Sequence, residues 1–281
     1  MLYLVRYGEI GIKSEGVRKR YLQILRDNLR RALENSGSEY VIREERGRLF
    51  IHSGSEAEDI LAHTFGVVSY SLAREVGSGI GDIGDAVLDA AGNIPPGRSF
   101  AMRTRRTGSH DYTSMSLAAA MGEKVLGARP DLRVDLGSPE EEIFVEVRSN
   151  RAYVFRDVVR GPGGLPVGTQ GRVLCPVGGE EDTRAGLLMA RRGCVPVFAS
   201  CNRYDLPRIW LQGREVKYDE GAPDDPKDLL AHAVESGHMG LVMPWGPEEI
   251  RERIRELPVG GPVYFPLAPP PPFADRMVAP S

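Results

Sequence analysis

Cysteine and histidine are both scarce in this chain of 281 residues. The three cysteines, Cys175, Cys194 and Cys201, are odd in number and form no CxxC pair. This pattern argues against a disulfide framework and against a metal site built from cysteine alone. The five histidines stand singly along the chain, so we expect no metal site. Cys175 lies in an apolar segment and is expected in the core rather than as a nucleophile.

Long apolar runs are also lacking. No segment approaches the roughly 18–20 apolar residues that span a bilayer. The apolar opening, residues 1–5, has no basic residue before it and is too short for the apolar region of a signal peptide. We therefore expect a cytoplasmic protein that does not contact a membrane.

An excess of positive charge is missing as well, since the formal net charge is −3 at pH 7. Residues 1–172 carry 24 Lys and Arg against 23 Asp and Glu, whereas residues 173–281 carry 12 against 16. The chain is thus no polycation. A surface for nucleic acid would have to come from local clusters of basic side chains.

Glycine, by contrast, is concentrated in residues 160–181, around which the chain is organised. A Gly/Pro-rich connector leads into an apolar strand, a Gly178-Gly179 turn and a helix predicted over residues 182–191. Strand, glycine turn and helix N-terminus together commonly form a phosphate site, because unpaired N–H groups point at the anion. However, Glu180 and Glu181 place carboxylates where an anion would lie, and Asp182 follows them. The position has the architecture of a nucleotide loop and the wrong charge for one.

The first 160 residues predict an α+β arrangement. We expect a strand over 2–6, a helix over 16–34 with leucines at helical spacing, and a hairpin of 40–43 with 48–52. A short helix over 56–63 and one strand over 67–76 follow. Further expectations are helices over 85–91 and 113–126, the latter capped by Ser114 or Ser116, a strand over 98–103, and a hairpin of 143–147 with 152–158. The GxGxxG pattern at 79–84 has no acidic residue about 20 positions later to hold a ribose, so we interpret it as a turn and cap.

After the connector the pattern changes to alternating strands and helices, which predicts a parallel sheet. The expected strands cover residues 173–177, 195–199, 209–216, 240–243 and 263–267. The expected helices cover residues 182–191, 227–235 and 247–257. Prolines 269–272 form a tail without chemistry.

Basic side chains form two groups in the first 160 residues. Arg103, Arg105 and Arg106 are expected to leave a strand for a loop, where planar guanidinium groups suit phosphate contacts. Arg156 and Arg160 close the same half, and Lys13, Arg18 and Lys19 form a second group with Arg20 beside them. No RNP-type aromatic motif or zinc-finger spacing accompanies them, so binding would be to the backbone and shape of structured RNA.

Several ordered motifs resemble the tRNA 4-thiouridine synthetase (tRNA uracil sulfurtransferase) family. They are residues 4–13 (LVRYGEIGIK), 65–71 (FGVVSYS) and 153–171, above all 161–168 (GPGGLPVG). The resemblance implies a ferredoxin-like subdomain at 1–55, a THUMP RNA-binding domain at 56–160, a linker at 161–172, and a small Rossmann-like α/β domain of the PP-loop ATPase type at 173–281. It also implies that the tRNA acceptor region is the partner.

The sequence departs from the family at the ATP-binding loop, Ser-Gly-Gly-x-Asp-Ser in the family. Aligned without gaps, Val177 stands at the first serine, Glu181 at the aspartate and Asp182 at the second serine. Unit charges about 4 Å apart interact by roughly 1–4 kcal/mol, so a carboxylate there opposes triphosphate. No cysteine follows Cys201, where the family's sulfur-carrying cysteine would be expected.

Three functions remain open. The first is a tRNA-binding protein related to thiouridine biosynthesis that needs no cofactor and has no catalytic residue. The second is an active ATP-dependent sulfurtransferase that uses Mg²⁺ with Gly178, Gly179, Glu181 and Asp182 and takes sulfur from a partner protein. The third is a nucleotide sensor that does not need RNA. A homodimer is compatible with each.

Overall fold

The computed structural model describes residues 1–45, 47–199, 208–211, 213–214, 216–223, 225–257 and 260–268. The chain divides into two compact units. Unit 1 comprises Met1–Val5, Arg43–Ser55 and Ser69–Val159. Unit 2 comprises Arg6–Ile42, Glu56–Val68 and Arg160–Ser281. No helix in the described part is long and apolar enough to cross a membrane.

The first 160 residues alternate strands and helices without a simple repeat. In chain order they are β1 (Leu2–Tyr7), a 3-10 helix (Glu9–Ile12), α1 (Glu15–Asn35), β2 (Tyr40–Glu45), β3 (Arg48–Ser53), α2 (Glu58–Ala62), β4 (Val67–Leu72), β5 (Arg74–Gly77), α3 (Ile80–Gly92), β6 (Ser99–Thr107), α4 (Ser114–Ala128), β7 (Arg133–Val134), β8 (Glu141–Arg148), β9 (Arg151–Phe155) and β10 (Val159–Arg160).

The remaining elements alternate regularly. They are β11 (Arg172–Pro176), α5 (Glu180–Arg191), β12 (Val195–Ala199), a 3-10 helix (Arg208–Leu211), β13 (Lys217–Asp219), α6 (Pro226–Glu235), β14 (Leu241–Val242), α7 (Pro247–Arg253), a 3-10 helix (Ile254–Glu256) and β15 (Val263–Tyr264). Three five-stranded sheets result, with the orders β10-β4-β1-β3-β2, β5-β9-β8-β6-β7 and β13-β12-β11-β14-β15.

In unit 1 the second of these sheets has apolar side chains on both faces. One face packs on α3 and α4 through a buried cluster that includes Phe100, Val87 and Met121. The other face packs on β1 and β3, where Phe50 stacks on Tyr153 with ring centroids 4.5 Å apart.

In unit 2 the third sheet is parallel throughout its recorded pairings. Consecutive residues of β11 are buried on opposite faces, Val173 and Cys175 on one and Leu174 on the other. A central strand covered on both sides is typical of α/β proteins. The predicted parallel sheet of alternating strands and helices and the predicted core position of Cys175 are thus confirmed.

The glycine connector of unit 2 is hydrogen-bonded along its length. Gly163 donates to Val67 O at 2.8 Å, Leu165 donates to Arg191 O at 2.9 Å, and Gly168 donates to Gly193 O at 2.8 Å. Residues 161–172, expected as a linker, are therefore ordered by backbone partners within unit 2.

Several local predictions were wrong. The strand predicted over 67–76 is two strands, β4 and β5, because Ala73 between them donates its N–H to Leu2 O at 2.9 Å. The predicted strand over 209–216 is a 3-10 helix at Arg208–Leu211, and the strand starts at Lys217. The N-cap of α4 is Thr113, and Ser116 closes its capping box instead of capping the helix itself.

Other local predictions are confirmed in whole or in part, or fall outside the described residues. The strand predicted over 195–199 coincides with β12, and the leucine face of α1 is buried, so both are confirmed. α3 begins at Ile80 with Gly79 as N-cap, so the cap part of the interpretation of the GxGxxG pattern is confirmed, whereas the turn part is wrong because residues 80–84 already belong to the helix predicted over 85–91. Arg46, which falls between the two strands of the hairpin predicted over 40–43 and 48–52, and the proline tail at 269–272 lie outside the described residues.

Candidate nucleic-acid interface

The three clustered arginines lie on a strand, which corrects the prediction that they occupy a loop. β6 runs to Thr107 because it pairs in parallel with β8 as far as Thr107 opposite Arg148. Thr104 faces the helices, since its hydroxyl donates to Ser114 O at the start of α4. Side chains alternate across a strand, so Arg103 and Arg105 point to the opposite face and Arg106 points to the helix side.

The three arginines differ in the hydrogen bonds and ion pairs that they form with the protein. Arg103 donates its Nε to Glu142 Oε1 at 2.6 Å and its Nη2 to Leu136 O at 3.2 Å. Arg106 donates to Gly108 O at 3.0 Å. Arg105 is exposed, and no hydrogen bond or ion pair is recorded for it among the described residues. Arg105 is therefore the member of the group best placed to meet a ligand.

A pocket of about 350 Å³ opens beside this strand end within unit 1. We call it the basic pocket. Its lining contains four arginines and one carboxylate, together with hydroxyl groups. These residues are Arg48, Arg105, Arg106, Arg148, Glu146, Thr104, Thr107, Ser114 and Val147. Guanidinium forks and hydroxyl donors around a cavity suit phosphate oxygens.

The sequence did not predict three residues of this pocket, Arg48, Arg148 and Glu146. Arg48 begins β3 and Arg148 ends β8, so 100 positions separate them along the chain. β3 and β8 lie in different sheets, and the packing of these two sheets face to face brings the two arginines together, where Glu146 contacts both. The one sequence feature that could have indicated this site is weak: Glu146 and Arg148 alternate with apolar residues near the end of β8.

The remaining predicted basic residues are divided between the units. Arg156 belongs to unit 1 and forms an ion pair with Glu141. Lys13, Arg18, Lys19 and Arg160 belong to unit 2 and are exposed. Lys19 lies 2.8 Å from Glu15 one helical turn away, and an exposed pair of this kind contributes little to stability.

The glycine turn after β11 forms the expected strand, turn and helix. Gly179 is the N-cap of α5, with no side-chain cap bond. The backbone N–H of Gly178 donates to Asp182 Oδ2 at 2.9 Å, while Glu180 and Glu181 are exposed in the first helical turn. Thr183 donates its hydroxyl to Gly179 O at 3.2 Å. A donor that would face a bound phosphate is thus engaged by a carboxylate of the chain itself.

The described cysteines are poor nucleophiles. Burial raises the pKa of the Cys175 thiol, and nearby Cys194 and Asp182 raise it further. Burial also raises the pKa of Cys194, against a smaller opposing effect of Arg192. A thiol with a raised pKa holds little thiolate at neutral pH. Cys201 lies outside the described residues.

No group of three or more His, Cys, Asp or Glu side chains in the described ranges could hold a metal ion.

Comparison with known proteins assigns both domains of the N-terminal half. Residues 2–71 match the ThiI ferredoxin-like domain and residues 80–157 match the THUMP domain. The chain is therefore a THUMP-domain protein with a ThiI ferredoxin-like domain before it. It is homologous to proteins named tRNA sulfurtransferase, and its ferredoxin-like and THUMP domains are followed by a parallel-sheet α/β domain.

Among these relatives is a probable tRNA sulfurtransferase of Methanosarcina mazei, 39% identical over an alignment of 234 residues that covers 77% of this chain and 55% of the relative. Another, from Methanothermobacter thermautotrophicus, is 38% identical over an alignment of 198 residues that covers 68% of this chain and 50% of the relative. The chain thus spans about half the length of the curated relatives it matches.

Two solved structures share the fold. PH1313 from Pyrococcus horikoshii is 28% identical with a TM-score of 0.81, and the match covers 98% of this chain and 97% of that one. A 4-thiouridine synthetase solved with RNA and bound ATP is 21% identical with a TM-score of 0.73, covering 95% of this chain and 81% of that one.

Proposed function

We propose that this chain binds tRNA, at the acceptor region, in connection with 4-thiouridine biosynthesis. The observation that carries the proposal is the basic pocket with Arg105 at its rim, inside the unit that contains the THUMP domain. The names of the homologues and the RNA bound to the 4-thiouridine synthetase of similar fold support tRNA as the nucleic acid. Contacts from arginine and hydroxyl groups to phosphates position an RNA without reading its bases.

We further propose that the α/β domain does not adenylate tRNA and needs no cofactor. The support is the turn after β11, where Asp182 already accepts the N–H of Gly178. Glu180 and Glu181 add two exposed carboxylates in the same helical turn. These residues fit a triphosphate poorly, because like charges at close range repel.

An active ATP-dependent tRNA uridine sulfurtransferase is the second candidate. Two observations favour it: homologues named tRNA sulfurtransferase, and open space at Gly179, where an added Cβ would meet nothing within 4 Å. In this version the carboxylates of Glu181 and Asp182 would hold Mg²⁺, which would offset their repulsion of phosphate, and a partner protein would supply the sulfur. A homodimer is compatible with both candidates.

Fluorescence anisotropy with labelled tRNA and with a duplex RNA of random sequence tests RNA binding. We expect tighter binding to tRNA and a loss of affinity with rising salt, because neutralised phosphates release counterions. Arg105→Ala should weaken binding roughly tenfold, the effect of losing about 1.4 kcal/mol from a charged phosphate contact.

Arg133→Ala is the matched control, since Arg133 is an exposed arginine of β7 in the same sheet but does not line the basic pocket. Equal losses in both variants would mean that only the overall charge matters. Equal affinity of the wild-type protein for tRNA and random duplex would refute the proposal.

A further inference from the structure

One acidic side chain stands inside the basic pocket, where it would be expected to repel RNA. Glu146 lines the pocket together with Arg48, Arg105, Arg106 and Arg148. Its side chain is only 8% exposed. Burying a carboxylate is costly unless it is paired, so its partners decide what it does there.

Glu146 lies between the two arginines that sequence analysis missed. Its Oε1 accepts from Arg148 Nε at 2.7 Å and lies 3.2 Å from Arg48 Nε. Its Oε2 accepts from Arg48 Nη2 at 3.5 Å. The carboxylate thus contacts the Nε side of both guanidinium groups.

Backbone carbonyls fix the same two arginines from other directions. Arg148 donates its Nη1 to Glu45 O at 3.2 Å, and Arg48 donates its Nη1 to Gly47 O at 3.0 Å. A guanidinium carries five N–H groups. The recorded contacts of Arg48 involve at most three of these five, so donors remain for an anion.

Two guanidinium groups held this close repel each other unless a negative charge separates them. The carboxylate of Glu146 offsets one of the four arginine charges of the lining, so a net charge of three positive units remains there. Donors that are already oriented bind an anion without the cost of ordering flexible side chains at the moment of binding. The gain in orientation can therefore exceed the loss of one unit of positive charge.

We propose that Glu146 is a positioning residue of the basic pocket: it holds Arg48 and Arg148 in place to bind a phosphate group of RNA and thereby strengthens RNA binding despite its negative charge. The inference rests on the proposed tRNA-binding function and adds the phosphate-binding role of this pocket to it.

Removing the negative charge of Glu146 distinguishes a positioning role from a purely electrostatic one, because the two roles predict opposite changes in tRNA affinity. Glu146→Gln and Glu142→Gln each remove one negative charge from the same face of β8. Glu142 does not line the pocket and pairs with Arg103 in a half-exposed contact. We expect Glu142→Gln to bind tRNA as tightly as wild type or more tightly, and Glu146→Gln to bind it roughly fivefold or more weakly, with a shallower salt dependence.

Glu146→Asp keeps the charge and withdraws the carboxylate by one methylene. It should also weaken tRNA binding, whereas a purely electrostatic role would leave the affinity unchanged. This variant covers the case in which Glu146→Gln fails to fold. Tighter binding by Glu146→Gln, or wild-type affinity of Glu146→Asp, overturns the inference while the proposed tRNA-binding function stands.

Inorganic phosphate provides a readout that does not need tRNA. At matched ionic strength, phosphate in place of chloride should raise the melting temperature of the wild-type protein and of Glu142→Gln more than that of Glu146→Gln and Glu146→Asp. Comparison among variants is required because phosphate also stabilises proteins by exclusion from their surface. If tRNA does not bind but this difference is present, the proposed function fails and the pocket assignment holds. Equal shifts in all four proteins overturn the assignment.

Discussion

The side chain of Asp182 accepts a hydrogen bond from the backbone N–H of Gly178, with 2.9 Å between Oδ2 and N. Residue 182 lies in the first turn of α5, where the helix dipole and unpaired N–H groups attract negative charge. The glycine turn therefore has an anion of its own at the position where a nucleotide phosphate would be expected.

Replacing Asp182 with serine should release this N–H and remove one repelling charge. Isothermal titration calorimetry with ATP and Mg²⁺ should detect no binding to the wild-type protein at millimolar nucleotide and measurable binding to Asp182→Ser. Glu180→Ser removes the same charge from an exposed neighbour and should bind no better than wild type. Millimolar or tighter binding by the wild-type protein would instead support the active sulfurtransferase.

The capping box of α4 makes a separate contribution to stability. Thr113 Oγ1 accepts from Ser116 N at 3.0 Å, and Ser116 Oγ accepts from Thr113 N at 2.9 Å. Thr113→Ala should lower the free energy of unfolding by about 1 kcal/mol, the usual effect of losing a cap. Urea denaturation measures this, and Ser109→Ala, in the exposed loop before the helix, should be close to neutral. Equal stability of both variants would show that the cap is dispensable.

Alanine substitutions at two neighbouring glycines of the connector distinguish the cost of backbone strain from the cost of a steric clash. Both have positive φ, +66° at Gly163 and +73° at Gly164. An added Cβ at Gly163 would meet nothing within 4 Å, whereas at Gly164 it would lie 2.3 Å from Arg191 O. Alanine should cost about 1–2 kcal/mol of unfolding free energy at either position because of φ, and roughly 1–3 kcal/mol more at Gly164 because of the clash.

The two alanine variants are compared by urea denaturation under identical conditions. If Gly163→Ala is as destabilising as Gly164→Ala, the close approach of the connector to the end of α5 is not what fixes glycine there.

Stability should fall as the pH decreases from 7 to 5. Burial, helped by Arg172, lowers the pKa of His238 below its ordinary value of 6.5. The unfolded chain therefore takes up a proton first, and the stability present above about pH 6.5 is lost as the pH falls through the folded-state value. Asp219, whose pKa is lowered from 3.8 chiefly by its hydrogen bond to His232, contributes only at more acidic pH.

His238→Asn should flatten this dependence in urea denaturation at pH 7.5 and 5.5. His52→Asn in unit 1 should act in the same direction, since burial and Arg43 lower the pKa of His52. An unchanged slope in His238→Asn would exclude this histidine as the source.

Local pattern predicted the elements whose own side chains decide their structure. The leucines of α1 recur at helical spacing and are buried, and the β12 sequence is bounded by its glycine and polar neighbours. The arginines of β6 were misplaced because the sequence Arg-Thr-Arg-Arg-Thr lacks the apolar alternation that indicates a strand. Its structure comes from the pairing of Arg105 with Glu146 and Arg106 with Val147 across the sheet.

The sequence by itself determined the order of the ferredoxin-like and THUMP domains, the parallel α/β character of the second half and the acidic residues 180–182 after the glycine turn, because each of these depends on neighbouring residues. Only the tertiary structure decided which basic residues form a pocket. Arg48 and Arg148 meet because the sheet that contains β3 packs on the sheet that contains β8, with Glu146 between them, and no local spacing predicts a contact between residues 100 positions apart. Likewise, the hydrogen bond from Gly178 to Asp182 depends on the direction of one N–H group, which the folded turn sets.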